Sequence, residues 1–205
     1  MERWDEHISE LFKNNRQENI NIQYNGEGLP IRKEGVEDAM NKMKFGKAVG
    51  NNGIALENIN FVVEKITTLA NKIYESIELT KQMSKSVFIA IQKVQGTLDC
   101  EKHCTISIIS QVTKILLRVL LARIWNKIRP QIFEEQYGFV KGKGTRNALF
   151  ALRNLAEKAL EVNQDLYLCF ADYEKAFDKV NHEDLIKMWE RLEKDEKDLR
   201  IIKNL

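Results

Sequence analysis

A chain of 205 residues with 43% hydrophobic and 30% charged positions can bury the core of one domain, or of one domain plus part of another. That balance, with only two prolines, excludes a disordered chain and favours a helix-rich soluble protein over a β-sandwich. The net charge of +2 is uninformative, but residues 105–146 carry eight Lys/Arg against two Glu, and residues 157–198 carry thirteen Asp/Glu against seven Lys/Arg. A basic segment feeding an acidic one suits a site that holds a polyanion on one side and cations on the other, although two solvated helix faces give the same runs.

Met1-Glu-Arg-Trp-Asp-Glu-His7 is too charged for a signal peptide, and no apolar run reaches membrane-spanning length. These features predict an intracellular protein, nuclear or cytoplasmic, not secreted and with no membrane partner. Cys100, Cys104 and Cys169 are then expected to be reduced thiols. Residues 3–14 read as an amphipathic helix with Trp4, Ile8, Leu11 and Phe12 on one face. Residues 15–30 are polar and glycine-containing, a loop or linker. A helix is expected over 33–44, burying Val36, Ala39, Met40 and Met43, and ending at Gly46. The turn 47–53 is not a Walker loop: the first glycine is missing at the required spacing, and Ala48 stands where Ser or Thr would bind magnesium.

A longer helix over 58–78 is predicted through Ile59, Val62, Ile66, Leu69, Ile73 and Ile77. Residues 86–92 look like a buried strand, with Lys93 just beyond it and a loop from Gln95 to His103. Cys100, His103 and Cys104 lack the fourth ligand and the paired spacing of a zinc site. The next helix starts at Ser107 or Ser110 and runs to Lys127. Its apolar face includes Ile108, Ile109, Val112, Ile115, Leu116, Val119 and Leu120; Lys114, Arg118, Arg123 and Lys127 form a basic face, and Pro130 enforces the stop. Then comes Gln136-Tyr-Gly-Phe-Val-Lys-Gly-Lys-Gly-Thr-Arg146, where glycines, cations and an aromatic pair precede a helix over 146–162 capped by Thr145. Such a segment lets backbone approach a phosphodiester while cations hold it and aromatics stack on bases; a plain glycine-rich connector is the alternative. That helix is expected to bury Ala148, Leu149, Leu152, Leu155, Ala156 and Ala159.

Leu166 to Ala171 is an apolar run without polar alternation, as in a strand covered on both faces, and it ends on Asp172. A carboxylate held at a strand end is a common position for a metal ligand, and a turn cap is the equal alternative. Asn181 then caps a helix that buries Leu185, Met188, Trp189 and Leu192. Residues 193–205 are mostly charged.

In this order the pieces resemble the reverse transcriptases of non-LTR (LINE-like) retrotransposons, from roughly Leu29 onward. The resemblance rests on Glu135-Gln-Tyr-Gly-Phe139 through Gly142-Lys-Gly-Thr145, then Phe170-Ala-Asp-Tyr-Glu-Lys-Ala-Phe-Asp-Lys-Val180. Upstream lie the Lys93 strand end, Thr105 to Lys114, and a Lys44–Ile54 segment with Asn52 in place of the usual aspartate. It implies an α+β, helix-rich fold: right-hand polymerase fingers to about residue 165 and a partial palm over 166–205, truncated before the catalytic hairpin. The partial domain would span 31–205, after an N-terminal helix and linker over 1–30. Asp172 would be catalytic, the first aspartate binding two Mg²⁺ ions, with the carbonyl of Ala171 or Tyr173 completing the coordination. Phe177 would exclude a ribose 2′-hydroxyl, Lys93 would meet the triphosphate, and Gln136, Gly138 and Phe139 would line the nucleotide and template site. Lys114, Arg118, Lys141, Lys143 and Arg146 would contact nucleic acid. The implied partners are an RNA template, a DNA primer and dNTPs.

Three departures stand out. Cys104 occupies the family's arginine position and can neither carry its charge nor present its fork. Gln92 replaces the usual proline before Lys93. No Asp-Asp pair occurs in the 205 residues, so the hairpin bearing the second and third aspartates is expected beyond Leu205 and the chain is not expected to polymerise by itself. A non-catalytic RNA-binding or interaction module built on 105–146 is the second reading. A two-metal nuclease using Glu174 or Asp178 beside Asp172 is the third.

Overall fold

The computed structural model describes residues 2–13, 28–192 and 196–204. Residues 14–27, which take in the end of the expected first helix and most of the expected 15–30 linker, lie outside the described residues. The architecture mixes helices with a small sheet, as an α+β assignment requires. It divides into two units, residues 1–127 with 178–205, and residues 128–177.

In the first unit, α1 covers Glu2–Lys13 and α2 Lys33–Asn41, near the predicted bounds. The side chains of Leu11 and Phe12 lie outside the described residues, but Val36, Ala39, Met40 and Met43 are buried as expected. Two 3₁₀ turns, Leu56–Asn58 and Asn60–Val62, lead into α3, Val63–Ser76. Ile59, Ile66, Ala70, Ile73 and Tyr74 are buried, whereas the expected Leu69 is exposed. The Asn71 amide grips the chain before α2: Ile31 N–H donates to its Oδ1 at 2.8 Å, and its Nδ2 donates to the Ile31 carbonyl at 2.8 Å. An exposed pair joins the same helices, Lys33 Nζ to Glu64 Oε1 at 3.0 Å, raising the Lys33 pKa and lowering that of Glu64.

β1, Val87–Gln92, forms where predicted, but all six residues are exposed rather than buried. It pairs antiparallel with β2, His103–Ile108, from Val87 opposite Ile108 to Gln92 opposite His103. β2 replaces the expected end of a loop and the earlier of the two candidate helix starts. A two-stranded ribbon satisfies its backbone along one edge only and brings no covering layer of its own, which is why strand propensity here does not coincide with burial. The His103 ring is the exception: it is buried, its Nδ1–H donates to the Asp99 carbonyl at 2.7 Å, and it meets Trp4 of α1 edge to face at 5.0 Å.

α4, Gln111–Ile128, begins after Ser110, whose Oγ accepts from Thr113 N–H at 3.1 Å and lies 2.7 Å from Thr113 Oγ1. Ser110 is therefore the cap and Ser107 is not; Ile108 belongs to β2 and Ile109 precedes the helix. Ile115, Leu116, Val119, Leu120 and Ile124 are the helix's buried stripe. The 47–53 turn docks at its start. Gln111 Nε2 donates to the Ala48 carbonyl at 3.1 Å, and a Cβ on Gly50 would stand 2.5 Å from Ser110 Cα and 2.6 Å from its nitrogen.

α6, His182–Leu192, is capped as expected by Asn181 Oδ1, which accepts from Glu183 N–H at 2.9 Å and Asp184 N–H at 3.2 Å. Its buried residue is Ile186; Met188 is exposed, while Leu185, Trp189 and Leu192 are half-buried, so the stripe turns toward the core on the residue beside the predicted one. α7, Glu196–Asn204, was not expected from its charged sequence, yet Asp198, Leu199 and Ile201 are buried.

The second unit has no buried residue. It runs from a 3₁₀ turn at Arg129–Gln131 through the Gly-Phe loop to α5, Thr145–Glu161. Gly144, not Thr145, is the cap position, its N–H donating to Asn147 Oδ1 at 3.0 Å. The expected core face of α5 is half-buried at best, with Leu149 and Leu155 exposed.

The predicted strand over 166–172 is absent. These residues are irregular and exposed, Tyr167 at 88% and Phe170 at 81%. A strand exists only where another chain segment takes up its N–H and C=O groups, and the described sheet contains β1 and β2 alone. The apolar run has the propensity for a strand but not the partner.

Candidate nucleotide and template site

Lys93 follows β1 directly and is exposed. Its N–H donates to the Lys102 carbonyl at 2.9 Å, which extends the hairpin ladder one rung past Gln92 and His103. Gln92, the residue in place of a proline, has work to do here: its Oε1 accepts from Gly96 N–H at 3.3 Å and its Nε2 donates to the Thr97 carbonyl at 3.4 Å, bracing the turn after Lys93. Cys104 lies opposite Ile91 and is exposed, so the arginine-to-cysteine departure falls on an accessible face close to Lys93. On α4, Lys114 and Arg118 stand one turn apart, the first half-buried and the second exposed.

In the second unit the Gly-Phe loop is internally tied. Gln136 Nε2 donates to the Gly138 carbonyl at 3.2 Å, and Lys143 N–H donates to the Val140 carbonyl at 3.1 Å. The Lys143 ammonium donates to the Glu134 carbonyl and sits 5.5 Å over the Tyr137 ring, so it braces the loop as well as charging it. Lys141 and Arg146 are exposed, and Arg146 lies in the first turn of α5, where no acidic residue balances the helix dipole.

Phe139 holds a φ of +59°, a left-handed conformation that a bulky side chain rarely adopts. Its ring is 87% exposed and meets the exposed Phe177 ring edge to face at 5.7 Å. Two residues expected at one nucleotide site are thus in contact, held by strained backbone on the loop side. Strain of this kind is of order 1–3 kcal/mol per residue and persists where the surrounding structure over-determines it, often at ligand sites.

Asp172, Ala171 and Tyr173 are exposed and in no regular element. Among the described residues no group of three or more His, Cys, Asp or Glu side chains could hold a metal ion. Asp172 and neighbouring carbonyls are hard oxygen donors of the type magnesium takes, but one carboxylate on an unpaired segment does not make a two-ion cage. Glu174, the nearest rival carboxylate in this unit, is exposed in the following turn.

The family described as reverse transcriptase (RNA-dependent DNA polymerase) matches residues 91–205, which takes in β1's end, the Gly-Phe loop and the Asp172 segment. The chain belongs to the reverse transcriptases. It is 27% identical over 164 residues to an RNA-directed DNA polymerase from the mobile element jockey of Drosophila funebris, covering 77% of this chain. It is 25% identical over 162 residues to a transposon TX1 uncharacterized 149 kDa protein of Xenopus laevis, again covering 77% of this chain. The chain spans 18% and 12% of the lengths of these two relatives. The likeness to non-LTR elements read from the motifs therefore holds. Among the described residues of this reverse-transcriptase chain, no helix is long and apolar enough to cross a membrane.

Proposed function

We propose that these residues supply the nucleotide- and template-facing part, fingers and the start of the palm, of a retrotransposon RNA-directed DNA polymerase. The Phe139–Phe177 contact carries this reading, because it brings the Gly-Phe loop and the segment bearing Asp172 to one place. Phe177 would face the sugar of an incoming deoxynucleotide, and Gln136 and Gly138 would fix the loop that meets the template base. Lys141 and Arg146, with Lys114 and Arg118 on α4, would contact RNA phosphates. Asp172, with the Ala171 or Tyr173 carbonyl, would contribute one ligand set for magnesium. The remaining carboxylates must come from outside these residues, since no Asp-Asp pair is present in the sequence. The 205 residues by themselves accordingly do not extend a primer.

Primer extension on an RNA template with Mg²⁺ and dNTPs tests this directly. No extension is expected from the 205-residue chain, and activity that Asp172→Ala abolishes would overturn the statement that it is incomplete. Binding to single-stranded RNA offers a second check. The combined Lys141→Ala and Arg146→Ala substitutions should flatten the slope of log K against log salt by about 0.7 for each charge removed. An unchanged slope would remove both residues from the interface.

A further inference from the structure

The hairpin rung beyond Gln92 and His103 sets two lysines against each other. Lys93 N–H bonds to the Lys102 carbonyl at 2.9 Å. Residues opposite each other in an antiparallel pair direct their side chains to one face, with Cβ atoms about 4.5–5.5 Å apart, and residues two along share that face. Lys93 and Lys102 lie one residue beyond the paired strands, Lys102 closing a 3₁₀ turn over Cys100–Lys102, and their hydrogen bond continues the register in which Ile91 faces Cys104. Lys93, Lys102 and Cys104 are all exposed, whereas His103, between the last two, is buried. Neither lysine has an ion pair among the described residues. The two acids of the intervening loop are Asp99 and Glu101, and Asp99 Oδ1 is occupied in accepting from Glu101 N–H at 3.1 Å. Like charges directly opposite destabilise a strand pair, and a bound polyanion reverses the sign of that interaction.

We propose that Lys93 and Lys102 form a two-cation clamp for the triphosphate of the incoming nucleotide, Lys102 supplying the charge that Cys104 lacks. The clamp rests on the reading of Lys93 as a triphosphate contact. An ammonium is a point charge without the guanidinium fork, so the clamp recognises the charge density of a polyphosphate rather than one fixed pair of oxygens. Sequence position hides Lys102, which ends the 3₁₀ turn before β2 and is set opposite Lys93 only by their backbone hydrogen bond.

The test is a titration of inorganic tripolyphosphate into the 205-residue chain at low salt, followed by calorimetry and by backbone amide shifts. Lys93→Ala and Lys102→Ala are each expected to weaken binding by about tenfold, the effect of one charge-assisted contact. Cys104→Arg added to Lys102→Ala is expected to restore it, because the arginine joins the same face. Loss with Lys93→Ala but not with Lys102→Ala overturns the clamp and leaves the role of Lys93 standing. Binding indifferent to both substitutions overturns the clamp together with that role.

Discussion

Gly50→Ala should destabilise the fold by about 3 kcal/mol or more, a loss of roughly 6–12 °C in the unfolding midpoint for a chain of this size. The added methyl would lie 2.5 Å from Ser110 Cα, 2.6 Å from Ser110 N and 2.7 Å from the Ile109 carbonyl carbon. All three are backbone atoms, so no side chain can rotate away to relieve the clash. Ser110 cannot retreat cheaply, because it caps α4 and its hydroxyl contacts Thr113, whose own Oγ1 donates to the Met83 carbonyl at 3.2 Å. Gly35→Ala is the matched control. It lies within α2 with nothing within 4 Å of the added Cβ, and should stabilise by about 0.5–1 kcal/mol through lower chain entropy and better helix propensity. Thermal or urea unfolding of the two variants checks both signs. Equal small effects would mean that the 47–53 turn does not hold the start of α4.

Gly50 also marks what the sequence could and could not tell. The 47–53 turn lacks the spacing of a Walker loop, and nothing local in it announces a close approach to Ser110, distant in the chain. Features set by neighbours along the chain were legible. The apolar spacing located α2, α3, α4 and α5, and the Asn181 cap before α6 was read from side-chain chemistry alone. Features set by distant partners were not. β2 is split in the sequence reading between the end of a loop at His103 and a helix start at Ser107, because Ile108 and Ile109 continue the apolar pattern of α4 and both Ser107 and Ser110 are plausible caps. The 166–172 run has every propensity of a strand, but propensity cannot supply the second strand. α7 was missed because its buried face is short and includes a carboxylate.

The candidate site divides the same way. Asp172, Lys93 and the Gly-Phe loop were legible only through family resemblance, which fixes order and spacing but no geometry. The Phe139 backbone strain and its ring contact with Phe177 join residues on either side of α5, and no periodicity links them. Lys102 was invisible for a related reason: a hairpin register pairs it with Lys93, and that register could not be drawn while β2 was unrecognised.

Asp198→Ala should cost about 3–5 kcal/mol, because it leaves a guanidinium in a part-buried site with its charge partner removed. Asp198 is 1% exposed, and Arg123 Nη1 reaches its Oδ1 at 3.3 Å. The same guanidinium donates from Nη2 to the Pro30 carbonyl at 2.7 Å and stacks 5.1 Å over the buried Tyr74 ring, with Lys197 Nζ 5.6 Å from that ring as well. One arginine of α4 therefore ties together the chain entering α2, the last turn of α3 and the charged helix α7. Truncating Arg123 to Ala should be comparably costly, since it removes a cation from beside the buried Asp198 carboxylate and the cover from Tyr74. The pair Arg123→Met with Asp198→Leu should lose less than the sum of the two alanine variants, for an apolar replacement of both partners leaves no buried charge behind. Urea unfolding across this cycle measures the coupling. If the losses were additive and each below about 1 kcal/mol, the range of an exposed ion pair, Arg123 and Asp198 would be merely adjacent, and their pairing would not be what holds α7.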